Sequence, residues 1–207
     1  MNGAFAQAGR AAADRLRHGD LPQAGLLVLA TMVAALALAW PARPGLPNES
    51  WYGVAQTRGA LVALLAIGYG MGLATEDRRR AWGTVGAVFV VAFSALPIEM
   101  AALAATVPAV PAWWPWVMTA VAVGGQLTLG ALLGAVMRRL RLVVLAPLLV
   151  PAAVAGTIAL DVAAGVNLLN PLLAATRPAP GFLAAHAALA LVGVVVAARA
   201  ARRREAA

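Results

Sequence analysis

The chain has 207 residues, 62% of them apolar and only 12% charged, where a soluble domain is nearer half apolar and a quarter charged. Its net charge of +8 comes from arginine alone, because lysine is absent. That absence excludes a Walker A phosphate loop and a lysine Schiff base to retinal or pyridoxal. Cysteine is also absent, so no disulfide or thiol chemistry is available.

The apolar residues fall in blocks of about 20, the length a helix needs to cross a bilayer. Residues 1–20 are polar, too long and polar for the n-region of a signal peptide, and no convincing small-residue cleavage site follows the first apolar block. Phe5, Ala8, Ala12 and Leu16 recur at helical spacing among Arg10, Asp14, Arg15 and Arg17. This segment reads as a short helix on the cytoplasmic surface, with a solvated tail as the alternative. Six spans are expected, at about 21–40, 52–74, 81–105, 114–137, 142–165 and 182–198, followed by a basic tail over 199–207. The expected organisation is thus a surface segment, a six-helix transmembrane domain over 21–198 and that tail. The fold class is all-α, with no room for a separate soluble enzyme domain.

Orientation follows from the arginines. Those at 10, 15 and 17, at 78–80, at 138, 139 and 141, and at 199 and 202–204 all fall on one side of a six-span arrangement. Only Arg43, Arg58 and Arg177 fall on the other. The basic side is cytoplasmic by the positive-inside rule, so both termini are expected there, in a cytoplasmic (inner) membrane. Nucleic acid is a poorer explanation of the arginines, because they sit at the ends of apolar blocks. Trp40, Trp51, Trp113, Trp114 and Trp116 map to the outer boundary and Trp82 to the inner one, as an aromatic belt does. The run WWPW at 113–116 is alternatively a platform for a flat ligand.

Enzyme chemistry is not expected. The only serines, Ser50 and Ser94, lie in no G-x-S-x-G motif, and the only histidines, His18 and His186, are far apart. With no cysteine and scattered acids, no metal site or cofactor is expected. The ionisable residues inside the spans are the informative ones, since each costs about 2.5–3.5 kcal/mol at mid-bilayer on insertion scales. Arg58, Glu99, Asp161 and His186 all map toward the outer leaflet, with Gln126 nearer the middle of its span. They read either as an outward vestibule lined by Arg58, Glu99 and Asp161, or as packing pairs without further use. Proton coupling through Glu99 or Asp161 is a further alternative. Gly68-x-x-x-Gly72, with Gly70 between, and Gly130-x-x-x-Gly134 are small-residue patterns that let helices approach. Pro97, Pro147 and Pro151 are expected to interrupt spans three and five.

In the C-terminal half, GGQLTLGALLGAVMRRLRLVVLAPLLVPAAVAGTIALDVA, then NLLNPLLAATRP, an apolar span and an arginine tail follow in order. This pattern, over about residues 120–204, resembles the type-2 ABC-transporter permease family, and the size resembles its small six-span heme-exporter permeases. The resemblance implies the permease subunit of an ABC-type exporter, paired with a second copy or a related permease and docked on a separate ATP-binding subunit. It implies a re-entrant segment holding Asn167, Asn170 and Pro171, which adds Asn167 and Asn170 to the substrate path with Arg58, Glu99, Gln126 and Asp161. It also implies that the turn of Glu76, Asp77, Arg78, Arg79, Arg80, Gly83 and Thr84 contacts the ATPase, although that turn is short beside the family's amphipathic coupling segment. Two rivals remain: an uptake component or small secondary transporter that holds its ligand near Arg58, Glu99 and Gln126, and a non-transporting scaffold.

Overall fold

A computed structural model describes residues 21–39, 49–73, 76, 78–98, 100, 111, 113–171 and 179–205. Every regular element among them is helical. The six long helices are α1 (Leu21–Ala39), α2 (Glu49–Leu73), α3 (Arg78–Ser94), α4 (Trp114–Arg139), α5 (Ala146–Ala164) and α6 (Pro180–Glu205). Five stretches are long and apolar enough to cross a membrane: Gly53–Leu73, Arg80–Ile98, Trp114–Arg139, Ala146–Ala164 and Pro180–Ala197. In α1 the apolar stretch Gln23–Ala35 is shorter. The protein is an all-α, multi-pass membrane protein. The expected surface segment over 1–20 lies outside the described residues. The expected basic tail continues α6 as helix as far as Glu205.

Helix ends follow local chemistry. Pro115 and Pro147 occupy the first turns of α4 and α5, where a missing N–H has no intrahelical partner to lose. Pro147 therefore starts a helix instead of interrupting one, after a single 3-10 turn at Val143–Leu145. Pro151 does lie inside α5. Pro97 acts as expected: α3 ends at Ser94, Ala95 is a turn, and a last helical stretch follows at 96–98. A proline at 97 cannot donate to the carbonyl four residues earlier and its ring crowds that carbonyl. At the other end of α4, Arg141 takes a left-handed conformation (φ 60°). Its N–H then reaches the Arg138 carbonyl at 3.1 Å, and the Leu142 N–H reaches Met137 O at 2.8 Å, closing the last turn as glycine usually does.

The bundle is organised on the α2–α4 pair, its most extensive contact. A Cβ on Gly130 would lie 2.9 Å from Ile67 Cα, and one on Gly134 2.8 Å from Met71 Cα; each would also strike the carbonyl oxygen of that residue. From the α2 side, a Cβ on Gly70 would lie 3.1 Å from Gly130 Cα and strike the Leu127 carbonyl. Ile67, Gly70 and Met71 share one helix face by their three- and four-residue spacing. Gly68 and Gly72 lie on another face: the nearest atom to a Cβ on Gly68 is Val150 Cγ1 at 3.9 Å, and a Cβ on Gly72 would meet no described atom within 4 Å. The α2 half of the seam is thus Gly70 and not the Gly68–Gly72 pair.

Other helices attach to this pair. Ala87, Val88 and Ala92 of α3 pack with Val62 and Ala66 of α2 and with Val123 and Leu127 of α4. Val28 and Met32 of α1 pack on Val54 and Val91. Helix α6 lies against α4, where a Cβ on Gly125 would come within 2.8 Å of the His186 ring. Helix α5 touches α2 through Val154, Ala63 and Ile67. Half of the α2 span is buried (50%), against 11% for α5 and for α6. Leu148, Leu160 and Val162 of α5 and Leu191 and Val194 of α6 are exposed apolar residues, as lipid-facing positions are.

The seam makes a contrast measurable by thermal or denaturant unfolding in detergent. Gly130→Ala is expected to lose about 1–3 kcal/mol, because its methyl must displace backbone. Gly72→Ala is expected to be neutral or to gain up to about 1 kcal/mol from helix propensity. Equal effects at the two positions would contradict the seam.

Candidate functional site

Three span ends meet in one half of the bundle: the start of α2, the start of α4 and the region just before the Pro97 break. Arg58 lies there, 4% exposed. Its Nη2 donates to the Ala92 carbonyl at 3.0 Å and to Thr119 Oγ1 at 2.6 Å. Thr119 Oγ1 in turn donates to the Pro115 carbonyl at 2.7 Å. One side chain of α2 thereby ties α3 and α4 together. A guanidinium at this depth needs such acceptors, since an unsatisfied polar group in hydrocarbon costs several kcal/mol. A stack of Phe93 on Trp116, ring centroids 5.6 Å apart, joins the same ends of α3 and α4.

Beside Arg58 is a cavity of about 40 Å³ between α2, α4 and α6. Arg58, Trp114, Thr119 and Gln126 give it polar groups, and Val62, Met118, Ala122, Pro171 and Phe182 give it apolar walls. On α4 these residues follow the helical period through Pro115, Met118, Thr119, Ala122 and Gln126, so one face carries them all. Trp114, Gln126 and Thr119 are buried. Trp114 Nε1 and Gln126 Oε1 have no protein hydrogen-bond partner.

Asp161 has a different task. It is 3% exposed, and its Oδ2 accepts the backbone N–H groups of Leu168, Leu169 and Asn170 at 2.7, 2.6 and 2.7 Å. Gly165, left-handed at φ 65°, ends α5, and the Val166 N–H returns to the Asp161 carbonyl at 3.0 Å. The carboxylate therefore clips residues 165–170 back onto the end of α5. Asn170 is buried in this fold-back, and the next residue, Pro171, forms part of the cavity wall. His186 stacks on Phe182 with centroids 3.8 Å apart, and its Nδ1 lies 3.1 Å from the Phe182 carbonyl.

Of the expected substrate-path residues, the structure brings Arg58 and Gln126 together at the cavity. Asp161, Asn167 and Asn170 are not among its lining residues, and Glu99 lies outside the described residues. Asn167 is half-buried, with its Oδ1 lacking a protein partner. In the expected ATPase-contacting turn, Thr84 is buried and donates to Glu76 Oε2 at 2.8 Å, Gly83 is buried and Arg80 is exposed. The Glu76–Thr84 bond is internal to the turn. Arg78 and Arg79 begin α3, and Asp77 lies outside the described residues. At that end of the bundle Arg138 Nη1 also donates to the Met71 carbonyl at 2.9 Å, satisfying a carbonyl in the last turn of α2.

The tryptophans divide. Trp82, Trp113 and Trp116 are exposed, as a belt requires, while Trp114 is buried against Met118, Ala179 and Phe182. Thr119, Met118 and Phe182 are site residues that the sequence did not single out, whereas Trp114 was read within the belt or as part of a platform for a flat ligand. The alignment of Thr119 with Gln126 on one α4 face was the available signal. Comparison with protein-family models, with curated proteins and with solved structures finds no match to this chain. Among the described residues no group of histidine, cysteine or acidic side chains is placed to hold a metal ion.

The Asp161 clip has a direct test. Asp161→Ala leaves three N–H groups without their acceptor and is expected to cost about 3 kcal/mol or more. Asp161→Asn should recover only part, because its amide oxygen lacks the charge that strengthens all three bonds to Oδ2. Unfolding in detergent gives the stability, and limited proteolysis near residue 166 should quicken in both variants.

Proposed function

We propose that the chain is a membrane transport component that holds a small polar ligand within a single copy, between α2, α4 and α6. The observation that carries this reading is the cavity, where the Arg58 cation shares a wall with buried Trp114 and Gln126. Polar side chains that serve only packing inside a span satisfy one another across helices. Trp114 Nε1 and Gln126 Oε1 find no such protein partner. With the arginine-rich ends and both termini in the cytoplasm of a cytoplasmic membrane, the cavity lies in the outer half of the bilayer. A ligand would enter it from outside or leave through it.

A second reading keeps the chain as the permease subunit of an ABC-type exporter, with a separate ATP-binding subunit and a second permease. The observation favouring it is the non-helical fold-back between α5 and α6, at the place where the resemblance expects a re-entrant segment. Copurification from the native host with a stoichiometric ATP-binding subunit would put this reading first.

The leading reading is tested by thermal unfolding of the purified chain in mild detergent against a panel of small organic acids, amines, amino acids and sugars. At least one compound is expected to stabilise it saturably. Gln126→Leu should weaken that compound about tenfold, the worth of one lost hydrogen bond. No stabilisation by any compound, or identical stabilisation in Gln126→Leu, would contradict the reading.

A further inference from the structure

We infer that the end of the bundle where α4 and α6 finish binds an anionic phospholipid, and that the turn from Arg138 to Leu145 is the centre of the site. The inference is independent of the cavity and of the reading of the chain as a ligand-holding component.

Helix register brings the basic residues to one level. A Cβ on Gly124 would lie 3.2 Å from Ala190 Cβ, and one on Gly193 would strike the Thr128 hydroxyl. Helices α4 and α6 therefore run side by side in the same direction. Arg139 and Arg204 each lie eleven residues beyond the Thr128–Gly193 contact. At the rise of an α-helix both positions are about 16 Å further on, so the two helices reach the same depth. The apolar stretch of α6 stops at Ala197, but the helix continues to Glu205 with arginines at 199 and 202–204. No acidic residue lies between Glu99 and Asp161, and Glu205 is the only one after Asp161. Positive charge thus collects in one layer at the end of the spans, where anionic headgroups are the available counter-charge.

The turn after α4 has the make-up of a lipid contact. Arg139 and Arg141 are exposed, and so are Leu140, Leu142 and Val144, the last to 89%. Cations interleaved with exposed apolar side chains suit a molecule that offers phosphate and hydrocarbon together. A soluble anion would leave those apolar side chains in water. Arg138 donates to the Met71 carbonyl at 2.9 Å, which ties the end of α4 to α2 and fixes where the turn sits. Arg141 carries the second independent observation. Its φ of 60° is a left-handed conformation, which favours glycine. The backbone bonds that close the α4 end would form equally well with glycine there. What arginine adds is a guanidinium, which can take two phosphate oxygens in parallel. Each arginine near an anionic membrane surface strengthens binding about fivefold.

The test is thermal unfolding of the purified full chain in mild detergent at constant ionic strength. The additions are phosphatidylglycerol, phosphatidylcholine with the same acyl chains, or inorganic phosphate. Phosphatidylglycerol should raise the midpoint saturably, by about 4 °C at roughly ten times its half-saturating fraction. Neither phosphatidylcholine nor inorganic phosphate should give a saturable rise. In Arg141→Gly the stability without lipid should hold or increase, because glycine takes the left-handed conformation without strain. The half-saturating fraction of phosphatidylglycerol should nevertheless rise about fivefold. Arg10→Gln removes the same charge from the N-terminal segment and should leave that fraction unchanged. Phosphatidylcholine as effective as phosphatidylglycerol overturns the inference. So does inorganic phosphate reproducing the effect, which would mark a site for a free anion. An unchanged fraction in Arg141→Gly overturns it too, as does an equal rise in Arg10→Gln, which would mark attraction to net charge alone.

Discussion

The bundle depends on two backbones being able to touch. At Gly70, Gly130 and Gly134 the helices α2 and α4 approach so closely that one added methyl would strike main chain. In hydrocarbon there is little hydrophobic gain from pairing helices, so close van der Waals contact over a stripe of small residues is what holds such a pair together. Helices α1, α3, α5 and α6 then pack on the outer sides of this pair. The seam also fixes register. With Ile67 against Gly130 and Met71 against Gly134, the start of α2 lies beside the start of α4, and Arg58 reaches Thr119. At the far end the same register lets Arg138 reach the Met71 carbonyl.

Register converts a costly residue into an organised one. An arginine within a span is tolerated when its donors meet acceptors, and Arg58 finds them on two neighbouring helices. Ala92 lies just before the break that Pro97 imposes on α3, where the regular ladder ends. Thr119 accepts from Arg58 while donating to Pro115 O, so the hydroxyl is used in both directions. Above this tie Asp161 holds the 165–170 fold-back, and Pro171 at its end closes part of the cavity wall. Arg58 thus joins three helices, and Asp161 folds back the segment that bounds the cavity.

Much of the architecture was legible in the residues. Apolar block length gave five clear spans and the sixth helix, and Pro97 and Gly165 marked real helix ends. Pro147 was misleading, because a proline at a helix start and one inside a helix look alike until the start is known. The glycine pattern pointed to the right helices but to the wrong α2 face, since Gly68, Gly70 and Gly72 all have partners at small-residue spacing. At the site, the cost of placing polar groups inside a span drew attention to Arg58, Gln126 and Asp161, and all three are buried. It could not say that Asp161 would be consumed by three backbone N–H groups, because that depends on a turn with no sequence signature beyond Gly165. Trp114 was hidden inside a run of interfacial tryptophans, where only its rotation on α4 separates it from Trp113 and Trp116.

The central claim is that Arg58 and Thr119 form one interaction across the α2–α4 pair, and a double-mutant cycle measures it most directly. Arg58→Met, Thr119→Val and the double variant would be compared with wild type by equilibrium unfolding in detergent. A coupling of about 1–3 kcal/mol is predicted, the worth of a buried hydrogen bond to a charged group. Additive effects, to within about 0.5 kcal/mol, would mean that the two residues act independently and that the register set by the seam does not bring them together.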